Sequence, residues 1–102
     1  MGISIFLDDL RPTPKGFERT YTVSETIELI QDCEKNGIEI EVLSLDNDLG
    51  DGEPEGCTIL EWLEEQFFED ESFRLPKRIV VHSDNMAARI GMEMTITKLY
   101  GE

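Results

Sequence analysis

The stretch Val42-Leu43-Ser44-Leu45-Asp46-Asn47-Asp48-Leu49-Gly50-Asp51-Gly52 decides the fold. A short apolar run of strand length stops in three carboxylates and two glycines between residues 45 and 52. Ionised groups are costly inside a sheet, so the strand reads as buried along its body, with a polar rim at its carboxyl end. The same pattern occurs twice more. Ile3-Ser4-Ile5-Phe6-Leu7 runs into Asp8-Asp9, and Lys77-Arg78-Ile79-Val80-Val81, rich in β-branched residues, runs into His82-Ser83-Asp84-Asn85.

Between these strands lie helical patterns. Ser24 is a candidate N-cap, Glu25 and Glu28 suit the positive end of a helix, Ile27, Leu29, Ile30 and Cys33 form a stripe, and Asn36-Gly37 supplies the stop. Glu55-Gly56 opens a second helix with Ile59, Leu60, Leu63 and Phe67 at helical spacing, ended by Glu69-Asp70-Glu71-Ser72. Met86 to Tyr100 reads as a third, with Met86, Ile90 and Met94 as its stripe and Met92 as a further packing residue. Arg11-Pro12-Thr13-Pro14-Lys15-Gly16 forbids a helix after the first strand, and Arg19 to Val23 alternates weakly as an edge strand. Strands alternating with helices predict an α/β layer fold with a largely parallel sheet. In such folds ligands bind at the carboxyl ends of the strands, where this sequence has its polar groups.

At 102 residues the chain is read as one domain, residues 1–102. Nine basic against 23 acidic residues give a formal charge of −14, which disfavours polymeric nucleic acid and anionic membranes as partners. No stretch approaches a membrane span, and Ile3 to Leu7 meets the acidic pair rather than a cleavage site, so a cytoplasmic protein is expected. Cys33 and Cys57, without a CxxC pair, read as reduced thiols.

Any one of the rim carboxylates could be a solvated loop residue; their coincidence at strand ends points to a site. Asp8, Asp9 and Asp46 brought together would raise one another's pKa unless compensated, and a divalent cation is the natural compensation. Hard oxygen donors favour Mg²⁺ or Mn²⁺, and Ca²⁺, over zinc. Two motifs are excluded: counted from Asp46, an EF-hand loop would need glycine where Asp51 stands and glutamate where Cys57 stands, and Gly50, Gly52 and Gly56 miss the dinucleotide spacing. His82, the one histidine, stands beside Ser83 and Asn85 and could move a proton near neutral pH or contact a phosphate oxygen. Arg11 could pair with a phosphate across the pocket, and Trp62 reads as a packing residue.

An acidic pair after the first strand, an Asp after a central strand and a Ser after the next resemble the response-regulator receiver domain. The resemblance would make Asp8 and Asp9 its metal-binding pair, Asp46 its phospho-acceptor and Ser83 its switch hydroxyl. The chain has no counterpart of the strand carrying the receiver's lysine. Phe6-Leu7-Asp8-Asp9-Leu10-Arg11-Pro12-Thr13-Pro14, Ser44-Leu45-Asp46-Asn47-Asp48-Leu49-Gly50 and Val81-His82-Ser83-Asp84-Asn85 more closely resemble the cyclic-phosphate-processing receiver domains. In that family's pattern the position of Asn47 is often His, and Pro, Gly and Asn-Met follow where this chain has Met86, Ala88 and Gly91-Met92.

The resemblance implies a truncated flavodoxin-like three-layer sandwich of about four mainly parallel strands with flanking helices. It also implies a metal-dependent phosphoesterase acting on a small cyclic phosphate, a nucleotide or an ADP-ribose derivative. In that reading Asp8, Asp9 and Asp46 hold Mg²⁺ or Mn²⁺, and His82 moves a proton. Arg11, Ser83 and Asn85 hold phosphate oxygens, and Asp48 is a further ligand or orients its loop. A covalent variant has Asp46 attacking phosphorus. The alternatives are a non-catalytic module that binds a nucleotide or a protein partner, and a degenerate receiver that dimerises through its last helix.

Overall fold

The computed structural model describes residues 2–101. Four strands, β1 (Gly2–Leu7), β2 (Phe17–Thr20), β3 (Glu39–Leu45) and β4 (Arg78–Val81), form one sheet in the order β2-β1-β3-β4, with every neighbouring pair parallel. Three helices, α1 (Val23–Asn36), α2 (Cys57–Glu69) and α3 (Met86–Leu99), complete an α/β receiver-like fold with flavodoxin-like strand order. Between β1 and β2 the proline-rich segment crosses without a helix, and the edge strand expected at Arg19 to Val23 lies earlier, at Phe17 to Thr20, pairing in parallel with β1 and sharing only Arg19 and Thr20 with the expected segment, because Val23 already begins α1.

Parallel crossovers are right-handed, so α1, carrying the chain from β2 past β1 to β3, and α2, carrying it from β3 to β4, land on one face of the sheet. There α1 packs against α2 and α2 against α3. Ile5, Leu7, Leu43, Leu45, Ile79 and Val81 point into this layer and are buried. The other face of the sheet carries no helix between β1 and β2. Ser4, Phe6, Val42, Ser44 and Val80 alternate onto it, so side chains rather than a helix screen this end of the sheet.

Local chemistry sets the boundaries. Thr22, not Ser24, caps α1, its hydroxyl accepting from the Glu25 amide at 3.2 Å, while Gly37 closes the helix in the left-handed conformation at φ 69°. Trp62 is half-buried edge-on against Phe73. The stripe expected to bury α3 is corrected by the fold: Met86, Ile90 and Met94 are exposed, and the helix packs instead through Met92, Leu99 and Ile96. Apolar residues occur on most sides of this helix, so spacing alone could not select the inward face. No helix among the described residues is long and apolar enough to cross a membrane.

Tyr100, which caps α3, donates its hydroxyl to the Pro76 carbonyl, and burial pushes its pKa up to about 12. The unfolded chain therefore loses this proton first, at about pH 10, and the stability held by the neutral phenol falls as pH rises towards 12. Tyr100→Phe is expected to flatten the decline in urea midpoint between about pH 10 and 12. An identical decline in both proteins would show that the phenol does not carry it.

Candidate functional site

β1 and β3 lie side by side, but the chain leaves them in opposite directions across the sheet, so a crevice opens between their carboxyl ends. Asp8 and Asp46 are the first residues beyond those strands, and His82 follows β4. Each offers one ligand atom, all within 4.8 Å of one another, and both carboxylates are buried. Of the sequence-derived metal set, Asp8 and Asp46 therefore meet, His82 joins them, and Asp9 stays outside the group. Asp9 is half-buried with Oδ2 turned towards Gly50, at 3.5 Å from where a side chain there would begin.

The Asp8 carboxylate is fully enclosed by donors. Oδ1 accepts from the backbone amides of Leu10 at 2.8 Å and Arg11 at 3.0 Å; Oδ2 meets Arg11 Nη1 at 2.8 Å and His82 Nε2 at 2.9 Å. Burial by itself would raise its pKa, but these four partners outweigh it and hold the carboxyl well below the usual range. Asp46 goes the other way. Burial raises it, and of its neighbours the Asn47 amide and Arg11 oppose the rise while the Asp8 charge adds to it. Asp8 is thus the ionised anchor and Asp46 the carboxylate still short of positive charge.

His82 is held by three groups. Its ring stacks on Phe6 with centroids 4.5 Å apart and planes 8° from parallel, Nδ1 lies 2.7 Å from Ser44 Oγ, and Nε2 faces Asp8. Ionised Asp8 can only accept, so Nε2 carries a hydrogen; in the neutral ring Nδ1 then accepts from the Ser44 hydroxyl. Ser44 and Phe6 escaped the sequence reading. The available signal was a hydroxyl inside an otherwise apolar strand, which needs a polar partner once buried.

Arg11 ties the rim together. Besides Asp8, Nη1 lies 3.5 Å from Asp46 Oδ2, and Nη2 pairs with Asp84 Oδ2 at 2.6 Å across the β4–α3 loop. Its hydrogen bond to Asp8 first, then the charges of Asp84 and Asp46, raise its pKa. Arg19 supports the wall from behind, donating Nε to the Asp8 carbonyl at 2.9 Å with its guanidinium over the Phe6 ring.

The remaining site residues fall into supporting places. Ser83 is buried, its Oγ accepting from the Asn85 amide at 3.1 Å, and Asn85 caps α3 by accepting from the Ala88 amide at 3.1 Å. Asp48 is exposed, at the limit of reach of Asn47 Nδ2, 3.5 Å. Asn47 is almost wholly buried and does structural work. Its Oδ1 accepts from the Cys57 amide at the start of α2, and its Nδ2 reaches Glu55 at 3.2 Å. Gly56 packs so closely that a Cβ there would lie 1.8 Å from the Asp46 carbonyl oxygen.

Two adjacent carboxylates suit a hard divalent cation, and the Asp8, Asp46 and His82 group could hold a metal ion. Comparison with curated proteins and comparison with solved structures each return no match. The sequence model described as the cyclic-phosphate processing receiver domain matches residues 3–98. With that match spanning nearly the whole length, and with the receiver-like sheet and its acidic rim in place, the chain belongs to the cyclic-phosphate processing receiver domain family.

Proposed function

We propose that this protein is a metal-dependent phosphoesterase that opens a small cyclic phosphate, of a nucleotide or an ADP-ribose derivative. The observation that carries the reading is the convergence of Asp8, Asp46 and His82 at the crevice between β1 and β3, in a chain of a cyclic-phosphate processing family. Asp8 and Asp46 would hold Mg²⁺ or Mn²⁺, with Asp9 the next carboxylate within the same loop. When bound, such an ion polarises the phosphoryl group and makes water more acidic.

The chain's own residues do the rest. His82, aligned by Ser44, Phe6 and Asp8, moves a proton: as the imidazolium it gives one to the departing ester oxygen, and it takes one back from solvent. Asp8 keeps the neutral ring in the tautomer that carries hydrogen on Nε2. Ser83 already uses its oxygen to receive the Asn85 amide, so its hydroxyl hydrogen is the part directed at a phosphate oxygen; the amide NH₂ of Asn85 supplies a second donor. Arg11 supplies the charged donor, and Asp48 orients the loop through Asn47. In the covalent variant Asp46 itself attacks phosphorus, and a trapped phospho-adduct on Asp46 distinguishes that route from direct attack by water.

The protein is to be incubated with Mg²⁺ or Mn²⁺ and a panel of cyclic phosphates and followed by phosphorus NMR. Metal-dependent ring opening is expected, and His82→Ala should slow it about a hundredfold. The structural role of Asn47 favours one alternative, a non-catalytic module binding a nucleotide or a protein partner: this buried side chain holds the Cys57 amide at the start of α2 and brings no titratable group to the rim. A shifted, broadened resonance for one ligand with no turnover would establish that alternative and end the enzyme reading.

A further inference from the structure

The carboxylate pair already has a cation. Asp8 Oδ1 is taken by the Leu10 and Arg11 amides, and Asp46 Oδ1 by the Asn47 amide at 2.8 Å. The second oxygen of each is the one that meets a positive charge: Asp8 Oδ2 also receives His82 Nε2, and Arg11 Nη1 stands on both oxygens, at 2.8 and 3.5 Å. A divalent ion sits roughly 2.0–2.6 Å from its carboxylate oxygens. An ion reaching both of these oxygens would compete with Nη1 for the same space and the same charge.

The arrangement also bears on how so acidic a rim accepts an anion. While Arg11 is spent on Asp8, Asp46 and Asp84, a phosphate approaching it meets three carboxylates and one shared guanidinium. Once the two buried carboxylates are neutralised by another cation, the guanidinium is released with its bidentate edge available. Asp84, whose side chain is 95% exposed, is too solvated to hold it by itself.

We propose that Arg11 and a divalent cation are alternative occupants of the Asp8–Asp46 pair, and that the cation's arrival hands the Arg11 guanidinium over to a phosphate oxygen. Cation and phosphate then bind cooperatively through one side chain, and the coupling is reciprocal. This inference rests on the metal-site reading above. It predicts that removing Arg11 strengthens cation binding while weakening the link between cation and phosphate. A purely phosphate-binding arginine would leave cation affinity unchanged.

The test is Mn²⁺ binding, read from the loss of the free-ion paramagnetic resonance signal, with and without inorganic phosphate. Wild type, Arg11→Gln, Arg11→Lys and Arg89→Gln are compared; the last makes the same charge change on the exposed surface of α3. Arg11→Gln is expected to bind Mn²⁺ about tenfold more tightly than wild type, with Arg11→Lys between them and Arg89→Gln within about twofold of wild type. Phosphate should tighten Mn²⁺ binding about tenfold in wild type and much less in Arg11→Gln. Equal or weaker Mn²⁺ binding by Arg11→Gln, with wild type binding normally, would overturn the exchange and leave the metal site standing. No Mn²⁺ binding by any of the four would overturn both. An Arg11→Gln that binds more tightly yet keeps the full phosphate coupling would overturn the hand-over.

Discussion

Asp46→Asn is expected to make the metal-free protein more stable and its cation affinity more than a hundredfold weaker. The two effects share a cause. Asp46 is 7% exposed, its carboxyl pushed up by burial with the Asp8 charge adding to the rise, and its second oxygen has only a 3.5 Å approach from Arg11. In the folded protein without a cation this negative charge is under-compensated. Asparagine keeps the acceptor for the Asn47 amide and removes the repulsion, so thermal unfolding should move up by an amount corresponding to about 1 kcal/mol. The same change removes the carboxylate most in need of a cation. Calorimetric titration with Mg²⁺ together with a melting curve reads both. Unchanged cation affinity would remove Asp46 from the site, and a lowered melting point would mean that Arg11 compensates it fully.

The second large effect concerns a residue with no chemistry of its own. Gly56→Ala should cost about 3 kcal/mol and lower the melting temperature by about 15 °C. The reason is contact rather than backbone conformation, since Gly56 has φ −58°, which any residue adopts. Its Cβ would fall 1.8 Å from the Asp46 carbonyl oxygen and 3.1 Å from the Asn47 Cα, and those backbone atoms cannot move without carrying Asp46 out of the rim. The Gly56 amide also donates to the Asn47 carbonyl at 2.8 Å, so the start of α2 is fastened directly beneath the site. Gly91→Ala is the control. Beyond the backbone of its own helix turn and its two chain neighbours, nothing lies within 4 Å of its added methyl, and inside α3 alanine should gain about 0.5–1 kcal/mol over glycine. Opposite signs for the same substitution in two glycines are the expected result; a neutral Gly56→Ala would show that α2 can retreat from the rim.

Both expectations depend on features with different visibility in the sequence. The strand ends at Asp8, Asp46 and His82 were legible because an apolar run stopping in ionisable groups has one cheap explanation, a strand leaving the core at a polar rim. The end of α1 was legible because Asn36-Gly37 supplies the left-handed stop. The inward side of α3 was not, since Met86, Ile90 and Met94 repeat as regularly as the residues that do pack. Asn47 read as a site residue lost from the family pattern, and the structure gives it the amide of Cys57 to hold.

By itself the sequence determined the α/β class, the parallel character of the sheet and the three places where polar groups leave it, because each follows from local pattern and from the cost of burying charge. Tertiary structure decided which of those groups touch. The pairing of Arg11 with Asp84 spans 73 residues, that of Ser44 with His82 spans 38, and the separation of Asp9 from Asp8 turns on the path of one loop. Local propensity carries no information about such contacts. They arise only when strand order β2-β1-β3-β4 sets β1 and β3 side by side and fixes which carboxylate oxygen faces which cation.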